Sequence, residues 1–578
     1  MADTLPHEVG DSILKTPLKN EKEHSATRSS DRDSTLFDPS DRERSPSLAP
    51  SLTEGNKDQQ TQDEDTEENV EYAQSWELYI ITIGLCLAVF CLAIDNTILA
   101  TAIPKITDQF NSLGDIGWYG SAYLLTFCAL TLQFGKMYTF YSTKWVFLSA
   151  LAFFEIGSLI CGVAPNSLAL IIGRAIAGIG SAGLFSGAIL ILAQCVPLQK
   201  RPMFTGGLWS MYGVASIAGP LMGGAFTDHV TWRWCFYINL PLGGITLVFI
   251  TFFFKAPKPI KALPSFKDEL DQLDLVGSFF FVPAIICILL ALQWGGTEYA
   301  WDNARIIVLF CLFGVLTVIF IIVESFQGEK ATVPGRIFKN RNIWGASIYS
   351  FSLGAGFYSF VYYIPIWFQA IKGVTATKSG IMSIPMLLSC IIFILISGIL
   401  VTRFGHYTPL MYIGSIFFAV GAGLITTWQV DTTHSAWIGY LVILGIGIGL
   451  GMQAPLIVVQ AVLPAEDIAT GTALQVFAQM LGGTIFISVC ENIFHNQLLK
   501  NLAEQAPNVD GAKLVAAGAT MVRTMVSSEV LPTVLQAYNK ALVQTFYCSA
   551  AMAACTFIGC LPLSWKPLKG KKIEATAA

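Results

Sequence analysis

The chain has 578 residues, 53% hydrophobic and 13% charged, about half the charge of an average soluble domain. That composition, with a mean hydropathy of +0.57, excludes an ordinary soluble enzyme and a wholly disordered protein and indicates a polytopic membrane protein. The net charge of −5 hides an asymmetry: residues 1–75 carry 18 acidic and 8 basic side chains, the remainder 22 and 27.

Residues 1–75 are rich in Ser, Asp, Glu and Thr and poor in aromatics. They cannot bury enough apolar surface to offset the entropy of ordering, so a disordered cytoplasmic tail is expected. From Trp76 fourteen apolar runs follow, at about 77–99, 116–138, 145–164, 168–193, 205–227, 235–254, 275–293, 305–324, 343–368, 379–401, 408–427, 437–457, 470–493 and 543–563, each near the length that spans a bilayer as a helix. An even number puts both termini on one side. With the N-terminus inside, seventeen Lys and Arg fall in inner loops and the C-terminal tail against five in short outer loops, so both termini are expected to be cytoplasmic. Residues 494–542 then form an external loop, whose Ala, Val and Leu content with Pro507 and Pro532 suggests short amphipathic helices.

A weak internal repeat organises the runs. Gly135, Lys136 and Lys144 stand at and just beyond the end of the second run, and Gly398 and Arg403 at and just beyond the end of the tenth. Both are small-residue, basic loops expected to govern conformational change. Residues 76–254 and 326–565 then become two six-helix halves, 255–325 an inserted two-helix segment, and 566–578 a basic cytoplasmic tail. Two related halves with a site at their interface is a recurring transporter plan.

Three of the charged residues inside apolar runs stand out: Asp95 in the first, Glu155 in the third and Arg174 in the fourth. Charge there is expensive and faces a cavity or a partner. A buried carboxylate suits proton binding and release, and a permanently charged Arg can tune it. Arg174 is therefore expected to pair with Asp95 or Glu155. The fifth run holds Gly213, Gly219, Pro220, Gly223 and Gly224, a close-packing, proline-interrupted string that could serve as a gate hinge. Trp209, Tyr212, Tyr362, Tyr363, Gln453 and Gln475 supply aromatics and amides for a wide, mostly apolar pocket between the halves.

These strings resemble the major facilitator superfamily, specifically its 14-spanner drug:proton antiporters, with the flavour of fungal toxin-efflux carriers of the HC-toxin-carrier and aflatoxin-pump types. The resemblance rests on Asp95 to Pro104, Trp118 with Tyr123-Leu124-Leu125, Gly173-Arg174 with Gly178 and Gly180, Gly213 to Gly224, and Trp232 to Pro241. It covers about 76–565. Two positions depart from the pattern: Thr139 stands where the glycine loop usually has Asp, and Ala177 where the fourth span often has Gln.

The resemblance implies an all-α major facilitator fold of 14 transmembrane helices and proton-coupled export of small amphipathic molecules, such as fungal toxins or drugs. No G-x-x-x-x-G-K-[ST] string occurs, so a gradient rather than P-loop ATP hydrolysis is expected to drive transport, with no cofactor. The expected partners are the substrate, protons and the bilayer, with no nucleic acid and a monomeric state; the plasma membrane is the expected location, the vacuole the alternative. Thirteen cysteines without a C-x-x-C pair read as buried thiols, and six scattered histidines argue against an enzyme or a metal site. The rival readings are an importer of the same fold, for a siderophore or a vacuolar amino acid, and a non-transporting sensor.

Overall fold

The computed structural model describes residues 75–110, 112, 115–257, 272–296, 298–511, 514, 522–565 and 567–568. The expected disordered tail, residues 258–271 of the inserted segment and the tail from 569 lie outside the described residues.

The described residues are helical, with no strand among them. In chain order the long helices are α1 (Ser75–Phe110), α2 (Ile116–Phe140), α3 (Thr143–Val163), α4 (Ser167–Cys195), α5 (Arg201–His229), α6 (Trp234–Phe253, with a break at Ile238) and α7 (Leu275–Trp294). There follow α8 (Ala304–Gln327), α9 (Arg341–Lys372), α10 (Ala376–Phe404), α11 (Thr408–Ile425), α12 (His434–Val462, with a turn at Met452–Gln453), α13 (Ile468–Gln505) and α14 (Leu531–Cys560). Helices dominate because a chain in hydrocarbon must satisfy its backbone polar groups within each segment.

Each apolar run of the sequence falls on one of these helices. Among the described residues eleven helices are long and apolar enough to cross a membrane. The other three, α2, α5 and α9, are 25, 29 and 32 residues long but carry more polar side chains, and all three face helices inside the molecule rather than only its surface. The segment 494–542 differs from expectation. Helix α13 continues to Gln505 and α14 begins at Leu531, so about half of that segment is helix extension, with a short helix at Val522–Met525 between. Polar residues such as His495, Asn496 and Gln497 ended the apolar run without ending the helix.

Helices α1–α6 pack on one another, as do α9–α14. The α7–α8 pair sits at the seam: α7 touches α2 on one side and α13 on the other, while α8 packs chiefly on α7. Only 6% of the apolar stretch of α8 is buried, the pattern of a helix surrounded by lipid. All thirteen cysteines are unpaired, most of them buried.

We call the end carrying the turn at Tyr141–Ser142 the basic end; Gly135 and Lys136 lie within α2 and Gly398 and Arg403 within α10, in the last turns of helices rather than in loops. There Lys144 donates from Nζ to the carbonyls of Thr251 (2.6 Å) and Phe254 (2.9 Å), satisfying the orphan acceptors where α6 ends. Lys136 reaches the Lys330 carbonyl at 3.1 Å. The connection after α8 is further fixed by Arg336, which grips both oxygens of Asp467 at the start of α13 and donates to Glu329 at 2.7 Å. Asp274, capping α7, accepts from the Thr332 amide at 2.9 Å and its hydroxyl at 2.6 Å.

Candidate functional site

The first half holds a buried ionic cluster near the end opposite the basic one. Asp95 on α1 and Arg174 on α4 form a salt bridge, 0% and 1% exposed. Arg174 Nε also donates to the Tyr119 carbonyl of α2 at 2.8 Å, and its guanidinium lies 4.5 Å from the Tyr123 ring centroid. Asn239 on α6 donates to Asp95 Oδ1 (3.2 Å) and lies 3.2 Å from the Ser158 hydroxyl of α3. One cation and one anion thus engage four helices directly and a fifth, α3, through Asn239. Such a bridge is retained only where partners satisfy both charges, since desolvation offsets most of the Coulombic gain.

Of the two partners open to Arg174, the structure brings Asp95. Glu155 instead points at α6, where it contacts Gly243, and neither of its oxygens has a hydrogen-bond partner. A carboxylate with no hydrogen-bond partner is costly to bury. Asn239, Ser158 and the Tyr119 carbonyl were not singled out in the sequence. Asn239 stands two residues before Pro241 in a quoted stretch, and an amide at a helix start carries no signal that it will reach a carboxylate on α1, far away in the chain.

The glycine string of α5 has two faces. Gly219 and Gly223 press against Thr97, Ile98 and Thr101 of α1, where a Cβ would collide with threonine hydroxyls. Thr97 adds a hydrogen bond to the Ala215 carbonyl at 3.1 Å. Gly213 turns to Ile391 of α10, Pro220 faces Gly380, and a Cβ on Gly224 would lie 3.9 Å from Thr377. Towards the basic end, Gly398 of α10 lies over the Pro202 carbonyl of α5.

The halves meet elsewhere too. A Cβ on Gly135 of α2 would lie 2.5 Å from Ala473 of α13, and Thr139 is 3.5 Å from Thr470. Cys128 is 3.7 Å from Thr484. Near mid-depth Tyr358 donates to the Tyr212 hydroxyl at 3.2 Å, joining α9 to α5. Trp209 is buried beside Tyr212 and edge-on to Phe185 of α4 at 4.8 Å.

Most pocket candidates are therefore packed in this conformation. Gln475 bonds Ser350 and Ser347 of α9, each at 3.0 Å, and Gln453 donates to the Ile394 carbonyl at 3.2 Å. Tyr363 is buried, with its hydroxyl 3.5 Å from the Ile487 carbonyl. Tyr362 alone of the six is exposed, at 52%. Arg403 is exposed near the end of α10. Among the described residues no group of three or more His, Cys, Asp or Glu could hold a metal ion.

Comparison with known proteins fits this geometry. The family model described as Major Facilitator Superfamily matches residues 85–487. The chain is 56% identical over 511 residues to "MFS-type transporter astH" of Aspergillus oryzae, covering 88% of this chain and 91% of that protein. It is 55% identical to "Efflux pump roqT" of Penicillium rubens, covering 86% and 92%, and 53% identical to "MFS-type efflux pump MFS1" of Trichophyton rubrum, covering 88% and 96%. Among solved structures it is similar in fold to the human organic anion transporter MFSD10 (TM-score 0.51, 13% identity, 82% of this chain and 100% of that one). The proton:xylose symporter XylE gives a TM-score of 0.51 at 15% identity, covering 83% and 95%.

Proposed function

The chain belongs to the major facilitator superfamily, and on that premise we propose that it is a proton-coupled efflux carrier for small amphipathic molecules, including a fungal secondary metabolite. The names of its relatives, efflux pumps from three fungal genera, support export over import. The observation that carries the mechanism is the Asp95–Arg174 bridge, buried yet close to one end of an apolar bundle. Protonation of Asp95 would release Arg174 and loosen the junction of α1, α2 and α4, with Asn239 holding the freed carboxyl. Glu155 provides a second proton site a short distance along the same cluster.

All fourteen long helices span the bilayer in this reading, with the basic end and both termini cytoplasmic. The contacts at the basic end and at Tyr212–Tyr358 then correspond to a carrier closed to the cytoplasm. Rocking of the halves along α5 and α10 would open that side. Substrate enters from the cytoplasm or inner leaflet between aromatic walls and is carried outward; it leaves as an external proton binds, and the protonated carrier turns back and releases that proton to the cytoplasm. The carrier works as a monomer in the plasma membrane.

The test compares accumulation of labelled metabolites and drugs in cells lacking and expressing the protein, with and without a protonophore. Expression should lower retention, and the protonophore or D95N should abolish the difference. Retention that rises on expression would make it an importer, and export indifferent to both protonophore and D95N would remove the proton from the mechanism.

A further inference from the structure

At the basic end the first turns of α9 and α13 leave a groove between them. Phe338, just before α9, and Trp344, Ile348 and Phe351 on α9 form one wall, and Phe477 and Leu481 of α13 the other, around a volume of about 450 Å³. Phe338, Trp344 and Ile348 are exposed, so the groove opens sideways, away from the space between the halves. Phe477 backs onto Phe281 of α7, with ring centroids 5.5 Å apart, so the inserted pair flanks it. From Arg341 to Phe351 the helix rises about 15 Å, the depth of one leaflet in a hydrocarbon core about 30 Å thick. Two cations stand at the mouth. Lys339 follows Phe338, and Arg341 shares a helix face with Ile348, seven residues on. The Cβ of Arg341 tilts toward the helix start, which carries its guanidinium beyond the apolar walls. Both residues are exposed, and neither side chain makes a hydrogen bond or ion pair among the described residues. The acidic side chains nearby are already engaged, for Arg336 binds Glu329, Glu466 and Asp467.

We propose that this groove binds an anionic phospholipid of the cytoplasmic leaflet, with one acyl chain between α9 and α13 and the headgroup phosphate held by Lys339 and Arg341. The proposal takes from the reading above only that the basic end is cytoplasmic. The depth of the groove suits a chain that runs along the bilayer normal, and two unanswered cations at headgroup level favour negative charge there. Trp344 stands at the same level, where an amphipathic ring prefers to sit. A zwitterionic lipid can fill the same apolar walls, but it brings a cation of its own to a mouth that already holds two. A bound chain would bridge α9 and α13 and, through Phe477 and Phe281, steady the inserted pair on the second half.

The test uses the full chain, purified in detergent, with native mass spectrometry counting the phosphatidylserine and phosphatidylcholine of equal chain length that it retains from a defined mixture. Wild type should retain phosphatidylserine in preference. K339Q and R341Q should each weaken its binding about fivefold, and the double variant about thirtyfold. K339R/R341K keeps both charges and should bind as wild type does, which a merely misfolded variant cannot do. A478L adds bulk to the α13 wall and should lower retention of both lipids with their ratio unchanged. Equal retention of the two lipids by wild type, or an unchanged preference in K339Q/R341Q, overturns the site. So does an A478L protein that keeps its phosphatidylserine but loses export of Nile red, a neutral dye, for the groove is then an entrance for substrate. Lipid retention is read without transport, so dye export that proves indifferent to the proton, with phosphatidylserine still preferred, removes the proton-coupled reading and leaves this site. K339C labelled in intact cells by an impermeant maleimide, above the wild-type background, would put the basic end outside and overturn the leaflet assignment in both.

Discussion

Replacing Asp95 by Asn keeps the size of the side chain and removes its charge. Arg174 would then remain 1% exposed with only the Tyr119 carbonyl, the Tyr123 ring and a neutral amide to answer it. Leaving one member of a buried pair uncompensated costs about 3–5 kcal/mol. If the first six helices unfold as one unit, that corresponds to a drop on the order of 10 °C in the unfolding midpoint. R174Q should cost a comparable amount, for it strands Asp95. The double variant D95N/R174Q removes both charges together and should return to within about 1–2 kcal/mol of wild type. Thermal unfolding of detergent-purified protein, followed by a thiol-reactive dye that reports exposure of Cys91 and Cys161, reads all three; both thiols are buried in the same half. Proton-driven efflux should stay lost in the double variant, because stability is restored and the proton site is not. A D95N protein as stable as wild type, or a double variant no better than the singles, would refute the bridge as drawn.

Other substitutions probe neighbouring contacts. In G243A the new methyl would fall on a Glu155 oxygen, whereas at Gly244 it would meet nothing within 4 Å; G243A should lose about 1–3 kcal/mol and disturb proton coupling, with G244A neutral in the same unfolding and efflux assays. T484C should form a disulfide with Cys128 under mild oxidation, since the present side chains approach to 3.7 Å; mass spectrometry reads the bond, and efflux should stop until a reductant is added if the halves part there during the cycle. K144A removes two contacts to the end of α6 and should lower stability by about 1–2 kcal/mol, visible as a small fall in the unfolding midpoint with substrate affinity unchanged.

Much of the fold was legible because hydrocarbon imposes a length and a composition that sequence displays directly. Asp95, Glu155 and Arg174 were legible for the same reason: charge in an apolar run is conspicuous. The choice between Asp95 and Glu155 as partner of Arg174 was not, because it depends on how α1, α3 and α4 cross. Glu491 carries the same signal as Glu155 but sits two residues from the end of its run and was not singled out. The helix continues for fourteen residues beyond it, which only packing against α14 reveals. Gln453 and Gln475 show the converse. An amide in an apolar run reads as a pocket lining, yet here each ties one helix to another, and sequence gives no means of telling the two apart.

The two faces of α5 imply a division of labour in motion. Where Gly219 and Gly223 let α1 sink against it, the pair is welded, so Asp95 travels with α5 as one stiff piece. Where Gly213, Pro220 and Gly224 meet α10, Ile391 seats against Gly213 while the contacts at Pro220 and Gly224 are looser, so one knob has to unseat when the halves turn. Helix α5 is thus an axle fixed to one frame and running in the other. Bulk added to the welded face should loosen the frame and show first as lost stability. Bulk added to the running face should act as grit, slowing turnover in a protein that still folds.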